Sequence, residues 1–195
     1  MLGETLMENS KSTAAKVRTI KSTHAQSGKL DVGSLVLVAI LLAAGFILNA
    51  TVGGMLAITG IKPEFCIAAY CLAILLLKPT LPQAIIFGIL AATVIQITTS
   101  IPGVEYVADI PGAAVAFLLV NKFADDKTPV YLPFILGFVT TLVSGLIFAC
   151  IATVIVLKGA FASMLPLLIV VLGTAVGNGL VVGGLYPALR KVISR

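Results

Sequence analysis

Five ionisable side chains stand apart in a chain that otherwise keeps charge out of its apolar stretches. Lys62, Glu64, Glu105, Asp109 and Lys158 lie within or beside the hydrophobic runs of residues 32–189, while the other charges sit in a polar arm, short polar turns or the C-terminal tail. Holding such a group at membrane depth costs about 3 kcal/mol on insertion scales, so it pairs, lines a cavity or serves a function. Four of the five, Lys62, Glu64, Glu105 and Asp109, gather near two connections. The chemistry this suggests is recognition of a polar ligand.

Catalysis has no comparable support. There is no G-x-S-x-G, no H-E-x-x-H and no phosphate-cradling Gly-Lys-Ser/Thr loop. The acids stand near the ends of the apolar runs, which argues against a proton relay across a bilayer. The sole histidine, His24, lies in the polar arm, and the three cysteines (Cys66, Cys71, Cys150) sit in apolar runs without metal or disulfide spacing. They read as small buried hydrophobes. No enzyme activity, metal or cofactor is expected.

The elements that must position the four charges are apolar and long. Hydrophobic residues make up 59% of the chain and charged residues 11%, with a mean hydropathy of +1.13. Soluble domains run near a quarter charged, so the chain is an integral membrane protein. Continuous apolar runs without strand alternation favour helices over a barrel. The reading is an all-α membrane protein of six spans, at about 32–50, 63–77, 82–100, 107–121, 131–157 and 161–189. Residues 1–31 form a separate basic, polar and disordered arm, and 32–195 the membrane domain.

With the N-terminus inside, the cytoplasmic side holds Lys11, Lys16, Arg18, Lys21, Lys29, Lys78, Lys122, Lys127, Arg190, Lys191 and Arg195, and the outer side only Lys62 and Lys158. This asymmetry predicts both termini in the cytoplasm. It also carries Asn49, Lys62, Glu64, Gln96, Thr98, Thr99, Ser100, Glu105, Tyr106 and Asp109 to the outer end, as a pocket with apolar walls and a few polar groups would require. The bland alternative makes Glu105 and Asp109 solvated loop charges. Asn178 reads as a bond between helices, and the glycines Gly173, Gly177, Gly179, Gly183 and Gly184 as close packing of the last span.

Three motifs then carry a family resemblance: Gly60-Ile61-Lys62-Pro63-Glu64 before the second span, Asp109-Ile110-Pro111-Gly112-Ala113 at the fourth, and Leu185-Tyr186-Pro187 near the end. With Ala39-x-x-x-Ala43 on the first span, the chain resembles the S components of energy-coupling factor transporters over residues 32–193. It is most similar to the tryptophan type, and cobalamin-type and other vitamin S components share the build. The resemblance implies capture of a small nutrient from outside the prokaryotic plasma membrane. It further implies docking, through Ala39 and Ala43, on a membrane scaffold subunit that works with two ATPase subunits. The polar residues gathered at the outer end make Asn49, Lys62, Glu64, Gln96, Thr99, Glu105, Tyr106 and Asp109 the candidate ligand residues, and the resemblance matches Lys62 and Glu64 to the outer loop that helps close the pocket. The polar set is weighted toward neutral groups, which puts a vitamin, cobalamin, first and tryptophan second as cargo. An autonomous secondary carrier is the rival class, although the sequence holds no evident inverted repeat. No nucleic-acid partner is expected.

Overall fold

The computed structural model describes residues 30–56, 64–99, 101–124, 128–156, 158 and 164–193. Residues 1–29 of the basic arm, Lys62 with the rest of Gly60–Pro63, Ser100 and the Asp125–Lys127 run lie outside the described residues. Those described form helices and the turns between them: α1 (Val32–Leu48), α2 (Phe65–Leu77), α3 (Leu81–Ile95), α4 (Val104–Phe123), α5 (Leu132–Cys150) and α6 (Leu165–Ile193).

The shortest of these is the hub. Every residue of α2 from Phe65 to Leu75 is buried, and α2 touches all five other helices. A helix apolar on every side is one that other helices surround, and Phe65-Cys66-Ile67-Ala68-Ala69 begins such a stretch. Its 13 residues span about 20 Å at 1.5 Å each, against about 30 Å for a hydrocarbon core. Walled by protein, it does not have to match that thickness itself. Lys78 closes it in a left-handed conformation (φ 46°) and donates from Nζ to the Ala124 carbonyl beyond α4, at 2.5 Å.

Helix starts follow local chemistry. Asp31 caps α1, its carboxylate accepting from the Ser34 amide at 2.9 Å and the Ser34 hydroxyl at 2.6 Å. Those two bonds hold the Asp31 carboxyl below its usual pKa. At α3, the Gln83 side chain accepts from the Thr80 amide at 2.9 Å, and Pro82 occupies the first turn, where its missing N–H costs nothing. Gly103, at φ 89°, lets the chain reverse and begin α4 directly after Pro102.

Two boundaries differ from the sequence expectation around this reversal. The third span stops at Ile95 rather than Ser100, and the fourth begins at Val104 rather than 107. Gln96 is the cause: its side chain folds back to donate to the Ala92 carbonyl (2.8 Å) and to accept from the Gly103 amide (2.9 Å). Glu105 and Asp109 therefore lie inside a helix, buried, and not in a solvated loop. The first span also runs on past residue 50, through a π-helical turn (Asn49–Gly53), to Leu56. A second π-helical segment, Ile151–Val156, extends α5.

Close approach between neighbours depends on glycine. A Cβ on Gly45 of α1 would lie 2.9 Å from the Phe65 carbonyl oxygen, and one on Gly88 of α3 only 2.7 Å from the Ala113 Cβ of α4. Of the α6 glycines, Gly179 and Gly183 pack on Phe134 of α5, but Gly184 faces open space. Cys66 and Cys71 are buried as expected, whereas Cys150 is exposed at the end of α5, its Sγ 3.9 Å from Met164 Sδ.

Val32–Leu56, Val104–Phe123, Leu132–Ile155 and Leu165–Ile193 are long and apolar enough to cross a membrane, while α2 and α3 are shorter apolar helices. The architecture is all-helical among the described residues, and the helices alternate in direction. One end of the bundle gathers the starts of α2, α4 and α6 with the ends of α1, α3 and α5. The other carries Lys78, Lys122, Arg190 and Lys191.

Candidate functional site

The end where α2, α4 and α6 begin encloses a cavity of about 290 Å³. α5 contributes Thr141, Gly145, Phe148 and Ala149, followed by Ala152 of the π-helical segment. These positions recur every three or four residues, which is one helix face. Leu167, Val170, Val171 and Thr174 supply a matching face of α6. Val171 can press against α5 because position 145 is glycine, where a Cβ would lie 2.8 Å from Val171 Cγ1. Opposite stand Ile95, Thr99, Ile101 and two carboxylates, Glu64 and Glu105.

Glu105 occupies the first turn of α4, where a helix N-terminus favours negative charge. It is 3% exposed, and its Oε1 accepts from the Thr99 hydroxyl at 2.9 Å. That hydroxyl oxygen in turn meets the Ile101 amide at 3.4 Å. Glu64 precedes α2, and its backbone carbonyl accepts from Asn178 Nδ2 at 2.9 Å. The same amide group reaches Thr141 Oγ1, also at 2.9 Å. Asn178 thus ties α6 to two cavity walls, consistent with its reading as an interhelical bond.

The sequence-derived ligand set divides into four. Glu64, Thr99 and Glu105 line the cavity. Asn49, Gln96 and Tyr106 stand off its lining and build the α3–α4 turn. Asn49 Nδ2 donates to Thr98 Oγ1 at 3.3 Å, Gln96 bonds Gly103, and the Tyr106 hydroxyl lies 3.1 Å from Thr93 Oγ1 on α3. Lys62 lies outside the described residues.

Asp109 is a case of its own. One turn below Glu105 and 1% exposed, it accepts from the Ser144 hydroxyl at 2.7 Å and does not reach the cavity lining. Its Oδ2, the Tyr70 hydroxyl and Thr140 Oγ1 are buried without a hydrogen-bond partner. Gly112 makes the space they share: a Cβ there would lie 2.7 Å from the Tyr70 hydroxyl oxygen and within 4 Å of Ser144 and Thr140. The Asp109–Ala113 motif is therefore a polar floor beneath the cavity. Leu185-Tyr186-Pro187 lies at the opposite end, with Tyr186 buried and the Arg190 guanidinium 6.0 Å from its ring centre.

Ser144, Tyr70, Thr140, Thr141 and Thr174 escaped the sequence reading. Each is a hydroxyl inside an apolar span, with no charge to draw notice. The i, i+3, i+4 spacing of Thr141-Ser144-Gly145 is the signal that could have found Thr141 and Ser144.

A family model described as the tryptophan transporter TrpP matches residues 31–194, nearly all of the chain beyond the arm. The chain belongs to the TrpP family. TrpP is a family of S components of energy-coupling factor transporters, so the resemblance read from the motifs holds. It makes this chain a multi-pass membrane protein for small-molecule uptake, working within a membrane-embedded module that has ATPase partners. No curated protein and no solved structure matches.

Proposed function

We propose that this TrpP-family chain is the tryptophan-binding S component of such a transporter, and that the cavity at the α2–α4–α6 end is where the amino acid binds. The family match is the observation that carries the reading, and it favours tryptophan over cobalamin, the cargo the sequence put first. The cavity supports the same choice. Its 290 Å³ is at the small end of ligand pockets, suited to an aromatic amino acid, whereas a corrinoid has several times as many atoms. Phe148, Ile95, Leu167 and Val170 offer the apolar walls an indole needs, and Glu64, Thr99 and Glu105 the polar contacts.

We infer that all six helices cross the membrane, with the cavity end outward and Lys78, Lys122, Arg190 and Lys191 in the cytoplasm, as cation placement favours. On this reading Ala39 and Ala43 receive the scaffold subunit. Both are exposed on α1, with Val36, Ile40 and Ile47 equally uncovered around them. Small residues at that spacing allow close helix approach.

The test is uptake by proteoliposomes. Tryptophan should bind the isolated chain but enter vesicles only when the scaffold and ATPase subunits are present with ATP. Robust uptake by the chain alone would establish the autonomous carrier instead. Replacing both Ala39 and Ala43 by Leu should leave binding unchanged and reduce ATP-driven uptake to background. Unimpaired uptake by that variant would remove the docking assignment.

A further inference from the structure

The threonines Thr99, Thr141 and Thr174 line the cavity, and their hydroxyls are differently engaged. Thr99 gives its proton to Glu105 Oε1 at 2.9 Å, and Thr174 has a partner as well. Thr141 differs from both. Its Oγ1 accepts from Asn178 Nδ2 at 2.9 Å, and among the described residues its own proton has no acceptor.

The usual acceptor for such a proton lies on the helix itself. A threonine within a helix can donate to the carbonyl four residues earlier. Thr51 does so to Ile47 at 2.6 Å, and Thr93 to Ile89 at 2.7 Å. Thr141 makes no such bond to Gly137; its oxygen is held by Asn178 instead. The Glu64 backbone carbonyl, which can only accept, takes a bond from Asn178 Nδ2 at 2.9 Å and so fixes the nitrogen end of the amide. The amide keeps this orientation although its Oδ1 is buried without a partner. Toward Asn178, then, Thr141 Oγ1 can only accept, and its proton points elsewhere. A hydroxyl held in this way on the cavity wall is a preorganised donor.

We propose that Thr141, positioned by Asn178, is a specificity residue of the cavity: its hydroxyl donates to an acceptor oxygen of the ligand. It selects aromatic compounds bearing a carboxylate or amide oxygen over those that lack one, the carboxylate more strongly because a charged acceptor makes the stronger bond. This refinement rests on the tryptophan reading and names the group of the amino acid that α5 recognises.

The chain contains no tryptophan, so the fluorescence of an indole ligand is read without tryptophan background. The purified full-length chain in lipid nanodiscs is titrated with tryptophan, tryptophanamide and tryptamine, and by equilibrium dialysis with phenylalanine and phenethylamine. Tryptophan should bind at least about tenfold more tightly than tryptamine, the gain expected from one hydrogen bond to a charged group, with tryptophanamide between them. Thr141→Val keeps the shape and removes the hydroxyl. It should weaken tryptophan by at least about tenfold and leave tryptamine nearly unaffected, and Thr141→Ser should restore the preference. Asn178→Ala should narrow the tryptophan-to-tryptamine ratio, because the released hydroxyl can turn back to the Gly137 carbonyl. An asparagine with a structural role alone would weaken both ligands alike, and that result, like an unchanged ratio, overturns its positioning role.

Equal wild-type binding of tryptophan and tryptamine overturns the proposal, as does equal loss of both, or no loss, in folded Thr141→Val. Should Thr141→Val not fold, Thr141→Ala reads the same ratio. Failure of all indoles, with phenylalanine preferred over phenethylamine and that preference lost in Thr141→Val, would sink the tryptophan reading and sustain this one. Tryptophan binding with an unchanged ratio in Thr141→Val would do the reverse. If no member of either series binds, both fall.

Discussion

Glu105 and Asp109 are successive carboxylates on one face of α4, a single turn apart, and they have opposite surroundings. Glu105 faces the cavity with one oxygen on Thr99. Asp109 faces the bundle, with one oxygen on Ser144 and the other among the buried hydroxyls of Tyr70 and Thr140. One turn of helix separates a group that lines the cavity from a group walled in by the protein itself. Depth relative to the cavity, more than charge, assigns the role.

The largest expected effect attacks the floor by volume. Gly112→Val would drive side-chain atoms into the space of the Tyr70 hydroxyl, 2.7 Å from the missing Cβ. Overpacking of this kind costs about 1–3 kcal/mol, to be read as a lower melting temperature of the ligand-free chain. An unchanged melting temperature would show that the floor is loosely packed and that Asp109 is not walled in.

Next comes the direct contrast. Glu105→Gln should weaken tryptophan binding by about tenfold, or about 1.4 kcal/mol, with little change in ligand-free stability. Asp109→Asn should do the opposite. It keeps an acceptor for Ser144, replaces a deeply buried carboxyl with a permanently neutral amide, and adds a donor toward Tyr70 and Thr140. Its melting temperature should hold or rise, and its tryptophan affinity should stay close to the parent's. If Asp109→Asn weakens binding as much as Glu105→Gln, the ligand reaches the floor and the distinction between the two acids fails.

The smallest effect is at Tyr70. Its hydroxyl is buried without a hydrogen-bond partner, so Tyr70→Phe removes a desolvated group and no bond. Stability should change by less than about 0.5 kcal/mol, or improve. A loss well beyond that, in chemical or thermal unfolding, would mean the hydroxyl satisfies Asp109 in solution.

Much of this was legible in the chain itself. Continuous apolar runs with Pro79, Pro102-Gly103 and Pro129 between them mark helices and their breaks, because a span has to satisfy its own backbone hydrogen bonds. The motif around Asp109 and the alanine pair on α1 pointed to the family, and the scarcity of charge drew attention to Glu64 and Glu105. Other features were hidden. Asn49, Gln96 and Tyr106 look like ligand groups in one dimension, since polar atoms near a span end serve a turn or a ligand equally well. Their partners, Thr98, Gly103 and Thr93, show that they brace the α3–α4 region, which one dimension does not reveal.

Sequence alone thus determined a helical membrane chain, its polar end and its family, because hydropathy, cation placement and short motifs are local properties. Tertiary structure decided the rest: that α2 is the hub, that α5 and α6 supply most of the cavity wall from residues with no chemical signature, and that Glu105 faces the cavity while Asp109 lies beneath it. Those facts depend on which helix faces meet, and helix packing turns on side-chain shape across the whole bundle, as at Gly88, Gly112 and Gly145, where a single Cβ would force neighbouring helices or side chains to shift.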